Sequence, residues 1–272
     1  MAAMDLETKL VKLDSDSTLQ GSTFVWMWGV PLFAVLAFVI LLVTNSNRAV
    51  FEFLNHHMAQ TGDLWWGDLT LLGDTAIALM FVLPLFGRRP KLVWQFFLAA
   101  LFATLWAQGV KALVSSMRPP AVLPGGSFHL IGPLLEQHSF PSGHTTTIFL
   151  LAGLCCLQYL DKRIKFSVLL LALLVGLSRI ACGVHWPVDV LGGMFGGWLS
   201  ALAGFWLSMR WQGGLNIWFQ RVLALLITFT AGWSIFFYDN GIHGTRLFQI
   251  IITVMCLMLS VKGICRIFKN PE

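Results

Sequence analysis

The sequence predicts an all-α polytopic membrane bundle of about eight spans, and three observations predict it. Of its 272 residues, 57% are hydrophobic and only 11% charged, against about 25% charged in a soluble domain. The apolar residues fall in runs that approach or exceed the roughly 20 residues that cross a bilayer. Lysine and arginine collect in alternate connections between those runs, as they do where short loops stay in the cytoplasm.

The elements follow in chain order. An N-terminal tail over 1–23 contains the polar, mixed-charge segment DLETKLVKLDSDS and reads as cytoplasmic. The run at 24–44 is too long for a signal-peptide core and has no small-residue cleavage site after it, so it is expected to be a retained span. Runs near 68–86, 92–114, 144–160, 166–183 and 188–208 complete a six-helix core over 24–210. Two further runs, near 221–238 and 246–264, make a C-terminal pair of transmembrane helices over 211–272. Trp65, Trp66, Trp186, Trp211 and Trp218 lie near run ends, where interfacial aromatics belong. Little sequence falls outside the runs, so one integral membrane domain is expected.

With the N-terminus in the cytoplasm, thirteen of the 18 lysines and arginines fall on that side, leaving Arg48, Lys111, Arg118, Arg179 and Arg246 on the other. The net charge of +5 therefore reports topology. It does not point to nucleic acid, because no basic stripe with interleaved aromatics lies outside the runs. Cys155, Cys156, Cys182, Cys256 and Cys265 sit in or beside apolar runs without paired loop spacing, so neither a disulfide nor a zinc site is expected. Compact loops and basic turns suit a bacterial cytoplasmic (inner) membrane.

Three clusters stand apart: KALVSSMRP at 111–119, PSGH at 141–144 and SRIACGVHWPVD at 178–189. Charged groups in a membrane bundle are costly and call first for a functional explanation. Lys111 and Arg118 are seven residues, about two helical turns, apart and can share a face. Pro119 and Pro120 end that helix. Ser142 is a plausible N-cap for the fourth span. His185 lies in a tight turn before Pro187, with Asp189 four residues on and within reach. All three clusters fall on the non-cytoplasmic face and can converge.

Those residue types suit holding and transferring a phosphate. Arginine grips phosphate bidentately and lysine acts as a point charge. A helix start offers free N–H groups and a favourable dipole. Lys111, Arg118, Arg179, Ser142 and the Gly143 amide can form such a cradle with no metal or cofactor. His185 can be the nucleophile, Asp189 can hold its Nδ1 proton, and His144 can be the general acid and base.

The same residues resemble the three signature motifs of the type-2 phosphatidic acid phosphatase superfamily: KxxxxxxRP, PSGH and SRxxxxxHxxxD, in that order. The resemblance implies a six-helix core, metal-independent chemistry and, for most membrane members, a phosphorylated lipid substrate. It implies His185 as nucleophile, Asp189 as its partner, His144 as acid/base, and Lys111, Arg118, Ser142, Gly143 and Arg179 as phosphate binders. Ser178 also occupies a signature position. The expected activity is hydrolysis of a lipid phosphate or diphosphate (a prenyl diphosphate, phosphatidylglycerophosphate, phosphatidate or lipid A type) at the outer face. A phosphotransferase would share the same intermediate. A transporter would need polar residues distributed at the bilayer midplane.

Other readings attach to single residues. Lys111 could snorkel to the interface. Arg179 and Asp189 could form a structural ion pair. His185 and Asp189 are metal-ligand types, but the surrounding positive charge argues against a metal. His56, His57, Asp63, Asp68 and Asp74 form a second polar group, in which Asp74 is expected to cap or pair within the bundle, with a place lining the substrate entry as the alternative. His129, Glu136 and His138 lie in the long loop and could touch a headgroup. Gly192, Gly193, Gly196 and Gly197 read as a close helix-packing surface.

Overall fold

Every predicted run is helical in a computed structural model of the chain, which describes residues 21–159 and 161–269. The helices are α1 Gly21–Val43, α2 Asn47–Ala59, α3 Asp63–Leu71, α4 Thr75–Val82 (continued by a tight 3-10 turn, Leu83–Leu85), α5 Pro90–Leu113 and the short α6 Pro119–Val122. Then come α7 Gly143–Gln158, α8 Lys162–Ala181, α9 Pro187–Arg210, α10 Ile217–Phe237 and α11 Arg246–Lys269. No strand occurs among the described residues. The tail expected over 1–23 lies, as far as residue 20, outside them.

Among the described residues, six helices (α1, α5, α8, α9, α10 and α11) are long and apolar enough to cross a membrane. Outward side chains such as Phe33, Leu36, Phe229, Phe236 and Met258 are more than half exposed, which lipid accepts and water does not. The chain is an integral membrane protein.

Two predicted spans differ in form. The run at 68–86 is a broken span: α3 and α4 meet at a 56° bend across Leu72–Asp74. Asp74 restarts the helix by accepting the Ala76 N–H through Oδ1 at 2.8 Å. Gly73 lets the break lie against α7, since a Cβ there would stand 2.8 Å from the His144 carbonyl oxygen. The second departure is α7, which has 16 residues and so runs only about 24 Å. The Ser142 N–H donates to the Asp189 carbonyl at 3.0 Å. The starts of α7 and α9 are therefore level, and the shortfall is at the far end, where Tyr159 turns the chain.

Helix α9 is the hub, packed against α5, α7 and α1, while α8 packs on α7. The glycine pattern of α9 serves this packing on two sides. A Cβ at Gly197 would lie 2.2 Å from the Thr146 carbonyl oxygen of α7, and one at Gly196 would overlap the Trp106 ring of α5. Helices α10 and α11 pack on each other and on α4 with its following turn.

Two helices were not anticipated: the short α6, because α5 already ends at Leu113 and Pro119 and Pro120 open a new turn instead of closing the old helix, and α2. Helix α2 fills the connection between the first two spans, burying Phe51 and Asn55. The Asn55 amide donates to the carbonyls of His129, Ile180 and Ala181 at 2.9, 3.0 and 3.1 Å and accepts the His129 N–H at 2.8 Å. It thus pins the long loop to the end of α8. Trp66 also departs from its interfacial reading: it is buried, with its indole N–H on Met58 O and Thr61 Oγ1.

Candidate active site

Five helix ends meet on one face of the bundle and supply the eight residues singled out by sequence. Lys111 comes from the last turn of α5, and Arg118 is the N-cap of α6. Ser142 caps α7, with Gly143 and His144 in its first turn. Arg179 comes from the last turn of α8, His185 from the turn that follows, and Asp189 from the first turn of α9. Arg118, Ser142, Arg179, His185 and Asp189 are all buried.

The geometry around His185 fixes its tautomer. Arg118 Nη1 lies 3.3 Å from His185 Nε2. A guanidinium can only donate, so Nε2 must accept and carries no proton. The proton is then on Nδ1, which faces Asp189 Oδ2 at 3.3 Å. That same carboxylate oxygen accepts the Ser139 hydroxyl at 2.5 Å and the Trp186 N–H at 2.8 Å. Burial, and then the facing charges of Arg118, Arg179 and Lys111, hold the His185 imidazole well below the ordinary histidine range. The ring is therefore neutral at neutral pH.

Around this ring stand three cations. Arg118 is braced by backbone carbonyls: its Nε donates to Gln137 at 2.9 Å and Nη1 to Val184 at 3.2 Å. Burial, and then Arg179, lower the Arg118 pKa to about 10, which still leaves it charged at neutral pH. Arg179 Nη1 donates to Thr70 Oγ1, and its Nε is buried without a hydrogen-bond partner. Lys111 points at the start of α7, its Nζ 3.9 Å from where a Gly143 Cβ would be. Ser142 Oγ accepts from the Thr145 N–H at 3.4 Å and the Thr145 hydroxyl at 2.9 Å. The Gly143 and His144 amides precede the first intrahelical bond, where N–H groups have no helical acceptor. Three cations, a helix start and an unpaired Arg179 Nε make a site for an anion.

Several other readings resolve here. Arg179 and Asp189 do not pair, because their bonds go to Thr70 and to His185, Ser139 and Trp186. Ser178 spends its hydroxyl on the Val175 carbonyl of its own helix at 2.7 Å. Of the loop residues, Glu136 and His138 contribute backbone carbonyls to Arg118, and His129 pairs with Asp63 at 2.7 Å on the surface. Among the described residues, no group of three or more His, Cys, Asp or Glu is placed to hold a metal ion. Thr70 and Ser139, which brace Arg179 and Asp189, were not singled out by sequence. Nothing marks them there, since neither has a fixed spacing to the residue it supports.

Fold and site together define a polytopic membrane protein that gathers an anion site at one end of its helices. The chain belongs to the PAP2 superfamily, whose family model matches residues 75–213. It is 38% identical over 116 residues to the "Bacitracin transport permease protein BcrC" of Bacillus licheniformis, covering 42% of this chain and 54% of that one. It is 26% identical over 180 residues to the "Undecaprenyl-diphosphatase" of Sulfolobus acidocaldarius, covering 63% of this chain and 86% of that one. The first of these matches thus spans only about half of the relative's length. In structure it is similar to crystalline Aquifex aeolicus LpxE, with a TM-score of 0.53 and 29% identity over 61% of this chain and 95% of that one.

Proposed function

We propose that the protein is a membrane lipid phosphatase that works through a phosphohistidine on His185 and needs no metal ion. The observation that carries this reading is the buried, neutral His185, with its lone pair on Nε2 and a carboxylate behind Nδ1. Phosphoryl transfer is mostly positioning plus neutralising charge on the equatorial oxygens. Lys111, Arg118, Arg179 and the amides of α7 supply that charge. In the first step Nε2 attacks phosphorus and the bond to the leaving oxygen breaks, while His144 gives that oxygen its proton. In the second step water attacks phosphorus, its proton passes to His144, and the phosphorus–nitrogen bond breaks to release inorganic phosphate. Arg118 must exchange its bond to Nε2 for a phosphate oxygen as substrate enters.

An apolar groove of about 410 Å³ supports a lipid as substrate. It lies between α5 and α9, is lined by Trp106, Val110, Leu113 and Leu199, and runs past the turn that carries Lys111. A polyprenyl diphosphate is the first substrate to test, because the relative matched over most of its length bears the name undecaprenyl-diphosphatase. Transport, the reading that the permease name raises, sits less well with polar residues gathered at one end of the helices.

The direct test is phosphate release from purified protein in detergent, over a panel of lipid phosphates, with EDTA present. Release undiminished by EDTA is expected. Loss on chelation with recovery on adding Mg²⁺ or Zn²⁺ would overturn the metal-free reading. Phosphate that moves to an added acceptor lipid instead of to water would favour a transferase.

Gly143→Ala probes the cradle. No atom lies nearer than 3.9 Å to the new methyl, so folding should be unaffected. The methyl would stand between Lys111 and the helix start, and a rise in KM of about 10-fold, on the order of one lost hydrogen bond to a charged group, is expected from steady-state kinetics. An unchanged KM would remove Gly143 from the phosphate site.

The site is assigned to the outer face of a bacterial cytoplasmic membrane, on the lysine and arginine bias of the connections. Cysteine introduced at Gly126 should then react with an impermeant reagent in intact cells. Reaction only after permeabilisation would reverse the orientation.

A further inference from the structure

Asp74 stands at the break of the second span, and each of its carboxylate oxygens has a separate task. Oδ1 caps α4. Oδ2 accepts the Tyr238 hydroxyl at 2.6 Å and faces His144 Nε2 at 3.8 Å. The last distance is that of an ion pair and is too long for a hydrogen bond, so a small rotation of either side chain would close it. The break itself is seated on His144, because a Gly73 Cβ would lie 3.0 Å from the His144 Cβ and 2.8 Å from its carbonyl oxygen. Tyr238 is fixed in turn: it ends α10, and its carbonyl accepts from the Gln249 amide of α11 at 3.2 Å. The family match stops at residue 213, so this contact reaches the site from beyond the matched region.

The charges around His144 come from every neighbouring element. They are Arg179 from α8, Lys111 from α5, Arg118 from the loop before α6, His185 from the α8–α9 turn, Asp74 from the break and the Tyr238 phenol from α10. Three are permanent cations, and Asp189 is occupied on His185. Asp74 is the carboxylate that can offset them when His144 carries a proton.

We propose that Asp74 is the positioning carboxylate of His144, and that the C-terminal helix pair holds it in place through Tyr238. The site then contains two histidine–carboxylate pairs with different tasks. Asp189 sets the tautomer of the nucleophile, and Asp74 keeps the second histidine aligned and able to hold a proton. This rests on the reading of His144 as the acid that protonates the leaving oxygen.

Leaving-group dependence tests it. Asp74→Asn keeps an oxygen for the α4 cap, and Tyr238→Phe keeps the ring. Wild type, both variants and His144→Ala would be assayed on an alkyl lipid phosphate and on an aryl phosphate whose leaving group needs no proton. Asp74→Asn should lose about 10- to 100-fold in kcat on the alkyl substrate, part of the 10²–10⁴ that general acid catalysis supplies. On the aryl substrate the burst rate of phenol release, which reports phosphorylation of His185 without the later hydrolysis, should stay within about 3-fold of wild type, because the acid contributes little there. Tyr238→Phe should show the same split with smaller losses. The alkaline limb of the kcat profile on the alkyl substrate should move to lower pH in Asp74→Asn, since removing a nearby carboxylate disfavours the protonated ring. Equal losses on both substrates, or an unmoved limb, would reduce Asp74 to a structural cap and overturn the proposal. A wild-type protein inert toward both substrates would overturn the phosphatase reading itself. A split in His144→Ala that is absent in Asp74→Asn would overturn only the Asp74 assignment.

Discussion

His185→Ala is expected to lower turnover by about 10⁵- to 10⁶-fold, the scale seen when a covalent nucleophile is removed. The substitution deletes the atom that forms the bond to phosphorus. The fold should survive, because the groups around His185 keep other partners. Arg118 retains the Gln137 and Val184 carbonyls, and Asp189 retains Ser139 and the Trp186 N–H. A stability loss of about 1–3 kcal/mol is expected for removing a buried side chain with such partners, to be read from thermal unfolding in detergent. A variant that folds and still turns over within 10-fold of wild type, a residue of about 1.4 kcal/mol in barrier, would remove His185 from the chemistry.

Asp189→Asn carries the second largest expected effect, and the structure says which part of the function it takes away. Ser139, Trp186 and His185 all meet the same oxygen, Oδ2. An asparagine amide oxygen placed there keeps all three bonds, so the His185 tautomer is held. What is lost is the negative charge opposite a ring that becomes positive as phosphorus bonds to it. A fall in kcat on the order of 10²-fold is expected, less than the ≈10⁴ that a wrong tautomer costs in the serine-protease triad. Asp189→Ala should fall further, because it frees the tautomer and strands the Trp186 N–H. If Asn and Ala variants lose the same factor, Asp189 acts by its charge alone and tautomer control adds nothing. If Asn loses nothing, the charge has no role.

The sequence carried the chemistry more fully than the connections. The eight site residues were legible because their types are rare in apolar runs and because His185 and Asp189 are spaced to meet. The shared helix face expected for Lys111 and Arg118 does not form, since α5 ends at Leu113 and Arg118 caps α6. The eight runs were legible because lipid asks for about 20 apolar residues each. The bend at Leu72–Asp74 was not, since LGDTA reads as a continuous apolar stretch with one acidic residue. Only the seating of Gly73 on His144 shows why the helix stops there. Helix α2 was missed because it buries just Phe51 and Asn55, too few apolar positions to give a periodic signal. Thr70, Ser139 and Tyr238 lie 109, 50 and 164 residues from the groups they hold. Contacts of that separation are made by tertiary packing, which leaves no local pattern.

Trapping of the phosphoenzyme tests the central claim most directly. Protein would be mixed with substrate radiolabelled in the transferred phosphate and quenched during turnover. Label stable to base and lost in acid, carried by wild type and accumulating in His144→Ala on a substrate with a good leaving group, is the expected result. No label should appear in His185→Ala. Label in His185→Ala, or its absence from a wild type that is releasing phosphate, would contradict a phosphohistidine at this residue.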